Sequence, residues 1–171
     1  MATTTADLKR LNLREELWPD AELLIAKSDE KGWWRAQRTL PLILSLTRDK
    51  KITGKLDCSA VYLELHSRDF GQGLVEILDE DEHAFCAGYF GNRALRSWRE
   101  RIVMLEKAGF IKIAPKGNRR IGYVLLINPR SVAEELRRQG KVSEAWWRTY
   151  KQRLQAVGGA RTTSSSLLDL A

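Results

Sequence analysis

Apolar positions recur at helical spacing along most of this chain, and two alternating runs interrupt them. In RALRSWRERIVMLEK, Leu95, Trp98, Ile102 and Leu105 follow one another at steps of three, four and three residues. That spacing gathers all four into one stripe of an α-helix running from about Arg93 to Lys107. The opposite face then holds Arg93, Arg96, Ser97, Glu100, Met104 and Lys107, with Arg99 and Arg101 flanking it. Gly109 ends the helix. The runs FIKIAP and IGYVLLI follow, joined by Lys116-Gly117-Asn118-Arg119-Arg120. Apolar, β-branched runs around a Gly-Asn pair predict a β-hairpin.

The rest of the chain reads in the same way. Residues 1–8 are expected to fray. Trp18-Pro19 predicts the start of a short helix, with Leu23, Leu24 and Ile25 free to pack and Gly32 beyond it. Pro41 fits only a first turn, so a buried helix is expected from Thr39 or Leu40 to about Arg48. Asp57 or Ser59 can cap a helix from Cys58 to Ser67 whose inner face carries Val61 and Leu65. Asp69 to Gly73 reads as a turn and Leu74 to Ile77 as a strand. Asp79 and Glu82 have capping-box spacing, which predicts a helix to about Ala87, followed by a turn from Gly88 to Asn92. Asn128-Pro129 predicts another helix start, ending at Gly140. Ser143 should cap a last helix to about Ala156, with Trp146, Tyr150 and Leu154 at four-residue steps. The Thr- and Ser-rich tail from 158 to 171 is expected to be disordered.

The expected fold class is mainly α with a small antiparallel β-sheet, organised as a winged helix-turn-helix with an N-terminal extension and a C-terminal helical pair. The expected divisions are 1–32, 33–128, 129–157 and 158–171. The order helix, turn, basic helix, hairpin resembles the winged-helix superfamily of DNA-binding proteins over roughly residues 33–128. More narrowly, LWPDAELL, RTLPLIL, SAVYLEL, GLVEI, SWRERI, GFI and GYVLLINP resemble a group of small bacterial proteins often encoded on plasmids and mobile elements. The resemblance implies a bacterial origin and a winged-helix core, and it carries over no catalytic residues. Winged helices also serve as protein-docking modules, so fold alone does not specify the partner.

Charge adds direction to this picture. The chain has 29 Lys and Arg against 22 Asp and Glu, a net of +7. Residues 74–90 carry five acidic side chains and no basic one, whereas residues 91–120 carry nine basic and two acidic ones. The basic excess therefore falls on the amphipathic helix and the hairpin, which favours a polyanionic partner. Double-stranded DNA is the expected partner. Arg93, Arg96 or Ser97 are the candidates for base edges, since an Arg fork can pair with both guanine acceptors, Glu100 can accept from a cytosine amino group, and Asn92 in the turn is a further DNA-binding candidate. Arg99 and Arg101 are expected nearer phosphates, and Lys116, Asn118, Arg119 and Arg120 on phosphates or in the minor groove. Trp146, Trp147, Tyr150 and Leu154 are the candidates for a homodimer surface, against the plainer reading that they cover the core.

Other chemistry finds less support in the residues. Asp79 to Glu82 better suits a helix cap than the metal site of a nuclease, because consecutive carboxylates do not converge on one ion. Of Cys58, His66, His83 and Cys86, the last two have a spacing a metal could use on a helix, but the first two, eight apart, match no common zinc spacing, so a buried Cys and satisfied His side chains are expected. No GxSxG, HExxH or Walker motif is present, so no enzyme, cofactor or metal is expected. Two cysteines outside any CxxC pattern fit a reducing compartment. No apolar run reaches membrane-span length, and MATTTADLKR lacks a signal core. The expected location is cytoplasmic and nucleoid-associated, with no membrane partner. The leading expectation is a sequence-specific DNA-binding transcriptional regulator. The alternatives are a plasmid replication or partition accessory factor, and a protein–protein adaptor.

Overall fold

The computed structural model describes residues 5–24, 32 and 34–158. Ile25, Trp33 and the tail beyond Gly158 lie outside these residues, and so do the expectations placed on them. The chain divides into two compact units, residues 1–35 and 36–171.

The first unit holds α1 (Thr5–Leu17) and α2 (Ala21–Leu24). Residues 5–8, within the start expected to fray, belong to α1; residues 1–4 lie outside the described residues. Pro19 lies in the turn between the two helices rather than at a first helical position.

The second unit is α/β. Helices α3 (Leu40–Leu46), α4 (Lys50–Thr53) and α5 (Ser59–Ser67) lead into strand β1 (Leu74–Glu76). Then come α6 (Glu80–Cys86), α7 (Ala94–Lys107), β2 (Ile111–Lys116) and β3 (Arg119–Leu126). Helices α8 (Pro129–Arg138) and α9 (Glu144–Ala156) complete it. The sheet is antiparallel in the order β1-β3-β2, with β3 central. Leu74 pairs with Leu125, Val75 with Val124, and Ile113 also with Val124. Because side chains alternate, Val75, Val124 and Ile111 are buried while Leu74 and Leu125 are exposed.

Side-chain caps fix the helix starts. Asp57 Oδ1 accepts from the Ser59 backbone N–H at 2.9 Å and from its hydroxyl at 2.5 Å. Asp79 Oδ1 accepts from the Asp81 N–H at 2.9 Å, and Asn128 and Ser143 do the same for α8 and α9. Glu82 does not return to the Asp79 backbone as a reciprocal capping box would require; its carboxylate meets Arg68 at 3.3 Å.

The core collects Ile43, Leu46, Val61, Tyr62, Leu65, Trp98, Ile102, Leu105, Phe110 and Leu136, all at most 2% exposed. Leu95, expected in the buried stripe, is half-buried in the first turn of α7. A hydrophilic cluster lies inside this core. His83 Nδ1 is 3.0 Å from Glu64 Oε2, and Arg68 Nε donates to Glu64 Oε1 at 2.5 Å. It ties α5 to α6 beneath Trp98, whose ring centroid is 5.8 Å from that of His83.

The C-terminal helices belong to the same unit. Trp146 Nε1 donates to Ser45 Oγ at 2.8 Å, and its ring stacks on Tyr150 at 4.9 Å. Tyr150 is fully buried, and Arg137 lies 4.6 Å over the Trp147 ring. Leu154 is half-buried. Of the four residues named as a possible homodimer surface, Tyr150 is buried inside the unit, while Trp146, Trp147 and Leu154 are half-buried.

Candidate nucleic-acid interface

Helix α7 is amphipathic as its spacing dictates. Trp98, Ile102 and Leu105 have no exposed surface, while Arg93, Arg96, Arg99, Glu100, Val103 and Lys107 are exposed. Met104 and Ser97 are half-buried at the margins. Ile113 N–H donates to Glu106 Oε1 at 2.9 Å, fixing β2 against the end of the helix.

The hairpin is tighter than the five-residue basic loop expected. Lys116 pairs with Arg119, so only Gly117 and Asn118 turn, and Lys116, Arg119 and Arg120 belong to the strands. Gly117 takes φ +56°, a region that disfavours side chains. At Pro115 the register shifts between Ala114 and Lys116, as suits a residue with no N–H to give to the ladder. Opposite that shift Gly122 lies so close to Lys116 that a Cβ would collide with its backbone nitrogen and come within 2.9 Å of its Cα.

The basic side chains divide into two groups. Four are engaged inside the molecule. Arg101 donates through Nε to the Asp57 carbonyl and through Nη1 to the Ser97 carbonyl, both at 2.8 Å, and lies 4.7 Å over the Tyr89 ring. It binds α7 to the start of α5, not to the position near phosphates expected of it. Arg99 pairs with Glu80 at 2.5 Å, joining α7 to α6. Arg119 donates to the Leu78 carbonyl at 2.5 Å and to the Ile77 carbonyl at 3.2 Å, so it folds back on the β1–α6 connection instead of standing at the hairpin tip. Lys116 pairs with Glu76 and lies 5.6 Å from the Tyr123 ring centroid. The Glu76 carboxylate raises the Lys116 ammonium above its ordinary value.

The other group remains available. Among the described residues Arg93 and Arg120 make no ion pair or side-chain hydrogen bond. Arg96 pairs with Glu100 at 2.9 Å, one turn along the helix and largely in solvent. An exposed pair of that kind contributes less than about 1 kcal/mol and yields readily to another partner. Asn92 and Asn118 are exposed in their turns.

Between α7, the hairpin and the start of α6 runs an open groove of about 590 Å³. Leu95, Val103 and Ile121 supply apolar lining, and Arg99, Asn118, Arg119 and Arg120 line it together with Asp79, Glu80 and Asp81. The acidic run thus shares a groove with the basic helix and hairpin. Its sequence position gave no sign of this, because only the packing of α6 against α7 brings the two together. A second feature missed from sequence is the Phe85–Phe90 pair, exposed and edge-to-face at 5.0 Å beside the turn that carries Asn92.

Cys58 and His83 are buried in the core, His66 is half-buried and Cys86 is exposed. Burial pushes the Cys58 thiol up to about 11, opposed by Arg101. Burial also lowers His66, which packs edge-on against Tyr62 at 4.4 Å. Among the described residues no group of three or more His, Cys, Asp or Glu is placed to hold a metal ion. No helix among them is long and apolar enough to cross a membrane. No family model, curated protein or solved structure matches the chain.

Proposed function

We propose that residues 59–126 form a winged helix that binds double-stranded DNA, with α7 as recognition helix and the β2–β3 hairpin as wing. The observation that carries this reading is the exposed α7 face. Arg93, Arg96 and Glu100 line one side of a helix whose other side is locked into the core, and Arg120 stands on the adjacent hairpin. The element order helix, strand, helix, helix, hairpin, with a β1-β3-β2 sheet, supports the winged-helix assignment. A helix held in this way can enter the major groove as a rigid body, with its first turns toward base edges and the hairpin along the backbone. In the simplest form the protein is a bacterial transcriptional regulator; a plasmid replication or partition accessory factor would use the same surface. No enzymatic step enters the proposal.

The residue roles differ from those the spacing alone predicts. Arg93 and Arg96 read bases. Arg120 and Asn118 contact the backbone. Arg99, Arg101 and Arg119 hold α6, α5 and β1 in place behind the contact surface. The test is a mobility shift on a selected duplex and on random duplex across several salt concentrations. Arg96→Ala should cost about 1–3 kcal/mol on the selected site and relax one position of the motif. Arg120→Ala should weaken both duplexes alike and reduce the salt slope by about 1. Wild-type affinity in both variants would overturn the proposal.

A protein-adaptor role is the second reading. It draws on the exposed Phe85–Phe90 pair and on Asp79 and Asp81, which repel phosphate from one wall of the groove. Failure of the duplex to shift at low salt would favour it.

A further inference from the structure

The two C-terminal helices carry a second basic surface. Residues 129–157 hold seven basic side chains and three acidic ones, and from Ala145 to Gly158 there are three basic residues and no acidic one. The three acids are all engaged. Glu134 pairs with Arg130 at 3.1 Å, Glu135 with Arg138 at 2.6 Å and Glu144 with Arg137 at 3.2 Å. Arg148, Lys151 and Arg153 are exposed and make no ion pair among the described residues. Their charge is left unneutralised by the chain itself.

Packing gathers part of this charge in one place. An open groove of about 250 Å³ lies between the end of α8 and α9, lined by Arg137 from α8 and by Arg148 and Lys151 from α9. Arg137 is held over the Trp147 ring at 4.6 Å and by Glu144, the one acid in the lining. Arg148 and Lys151 are three residues apart on a helix, so they are neighbours on its surface. Gln152 and Gln155 line the same groove with amide groups. Helix α9 is fixed behind them by Trp146 Nε1 on Ser45 and by the buried Tyr150 ring, so the donors stand on a rigid element.

The chemistry of this face fits a phosphate backbone better than a folded protein. Guanidinium, ammonium and amide donors are the groups that contact phosphate oxygens without reading bases. A protein partner is held chiefly by aromatic or apolar anchors seated in pockets. The other outward residues of α9 include Ala145, Thr149 and Ala156, which offer no anchor, and Trp147 is half-buried with Arg137 over its ring. We infer that the α9 face, with Arg137, holds the backbone of a second duplex segment, independent of sequence, while α7 holds the first. Only the first segment rests on the DNA reading of α7; the second uses no residue of α7 or the hairpin. A copy built in this way ties two stretches of DNA together. A short duplex seated on α7 leaves the α9 face free, so the salt dependence at that site is set by α7 and the hairpin alone.

The test is capture of one duplex by another. A short selected duplex is fixed to beads, the full chain is added, and a labelled random duplex is offered. Wild type should retain the label at about 50 mM salt and release most of it at about 200 mM. Arg148→Gln/Lys151→Gln removes two exposed charges that make no ion pair, so its melting temperature and its binding to the beads should match wild type. Its retained label should fall about tenfold. Anisotropy of a random duplex, measured in an Arg93→Ala/Arg96→Ala/Arg120→Ala background, reads the α9 face by itself. There the two Gln substitutions should again weaken binding about tenfold. Failure of the α7 reading would show instead as wild-type affinity in the Arg96 and Arg120 variants, and would leave this comparison intact. The inference is overturned if the Gln substitutions change neither the retained label nor the affinity in that background. It is also overturned if wild type retains labelled polyglutamate in preference to the random duplex, which would give the face to an acidic protein.

Discussion

Replacing Glu64 by Ala probes the polar cluster at the heart of the helical core. The Glu64 side chain is only 6% exposed and accepts from His83 and Arg68 at once. His83 is 2% exposed, so without Glu64 its Nδ1 faces the core with no partner. Orphaning one buried donor costs about 1–3 kcal/mol. Arg68 loses less, because it is 29% exposed and keeps Glu82 at 3.3 Å, so its share is about 0–1 kcal/mol. The two terms together predict a loss of about 1–4 kcal/mol, a drop in melting temperature of about 3–5 °C per kcal/mol for a unit of this size. Urea denaturation of Glu64→Ala, His83→Ala and the double variant apportions the effect. With both partners gone neither is left unsatisfied, so the double variant should be more stable than additivity allows, by about 1–3 kcal/mol. Additive losses within about 0.5 kcal/mol would refute the reasoning, because the two side chains would then contribute independently and not as a pair.

Three other perturbations test the frame that presents the candidate interface. Trp98→Ala, at a position with no exposed surface, should cost about 3–5 kcal/mol, and a variant that melts like wild type would place the wrong face of α7 inward. Gly122→Ala should destabilise by about 1–3 kcal/mol or more, since the new methyl meets the Lys116 backbone. Its hydrogen-exchange signature should be confined to the hairpin, and unchanged protection there would contradict the close approach. Burial lowers the folded His66 value below the 6.5 of the unfolded chain, so the unfolded state binds more protons between the two. The stability His66 retains above 6.5 should therefore be lost as pH falls through that window, and His66→Gln should flatten this part of the urea midpoint against pH; an unchanged profile would disprove the assignment.

What the sequence makes legible follows from locality. Trp98, Ile102 and Leu105 on α7, the caps at Asp57, Asp79, Asn128 and Ser143, and a hairpin after Gly109 are all set by neighbours a few residues apart and form near where their patterns predict, though Leu95 is only half-buried and the hairpin turn is shorter than expected. Helix α1 escaped because Leu8, Leu11, Leu13 and Leu17 do not share one narrow stripe, so no periodic signal separates it from a frayed start. The roles of the basic residues escaped for a different reason. Arg101 reaches a carbonyl 44 residues away and Arg119 one 41 residues away, and Arg99 finds Glu80 across 19. No local spacing encodes such pairings; they exist only once α5, α6, α7 and the sheet have packed.

Those pairings change what the charge pattern argues. Nine basic residues between 91 and 120 appear in the sequence as one continuous basic surface. In the fold, Arg99, Arg101, Lys116 and Arg119 already hold carboxylates or carbonyls, and turning them toward phosphate would forfeit contacts that fix α7 and the hairpin. Arg93, Arg96, Lys107, Lys112 and Arg120 remain. Of these Arg96 has a carboxylate alongside and Lys112 lies on the sheet face away from the core, beside Leu125. With Arg93 and Arg96 on bases, about two or three phosphates are then within the means of one copy, which sets the slope of log affinity against log salt at about −2 to −3. All nine acting on DNA would give about −8. A slope near the smaller value fits a helix that reads bases while its neighbours brace it. A slope near the larger one would mean that the internal pairs open on binding, and that the frame described here is not the frame that meets DNA.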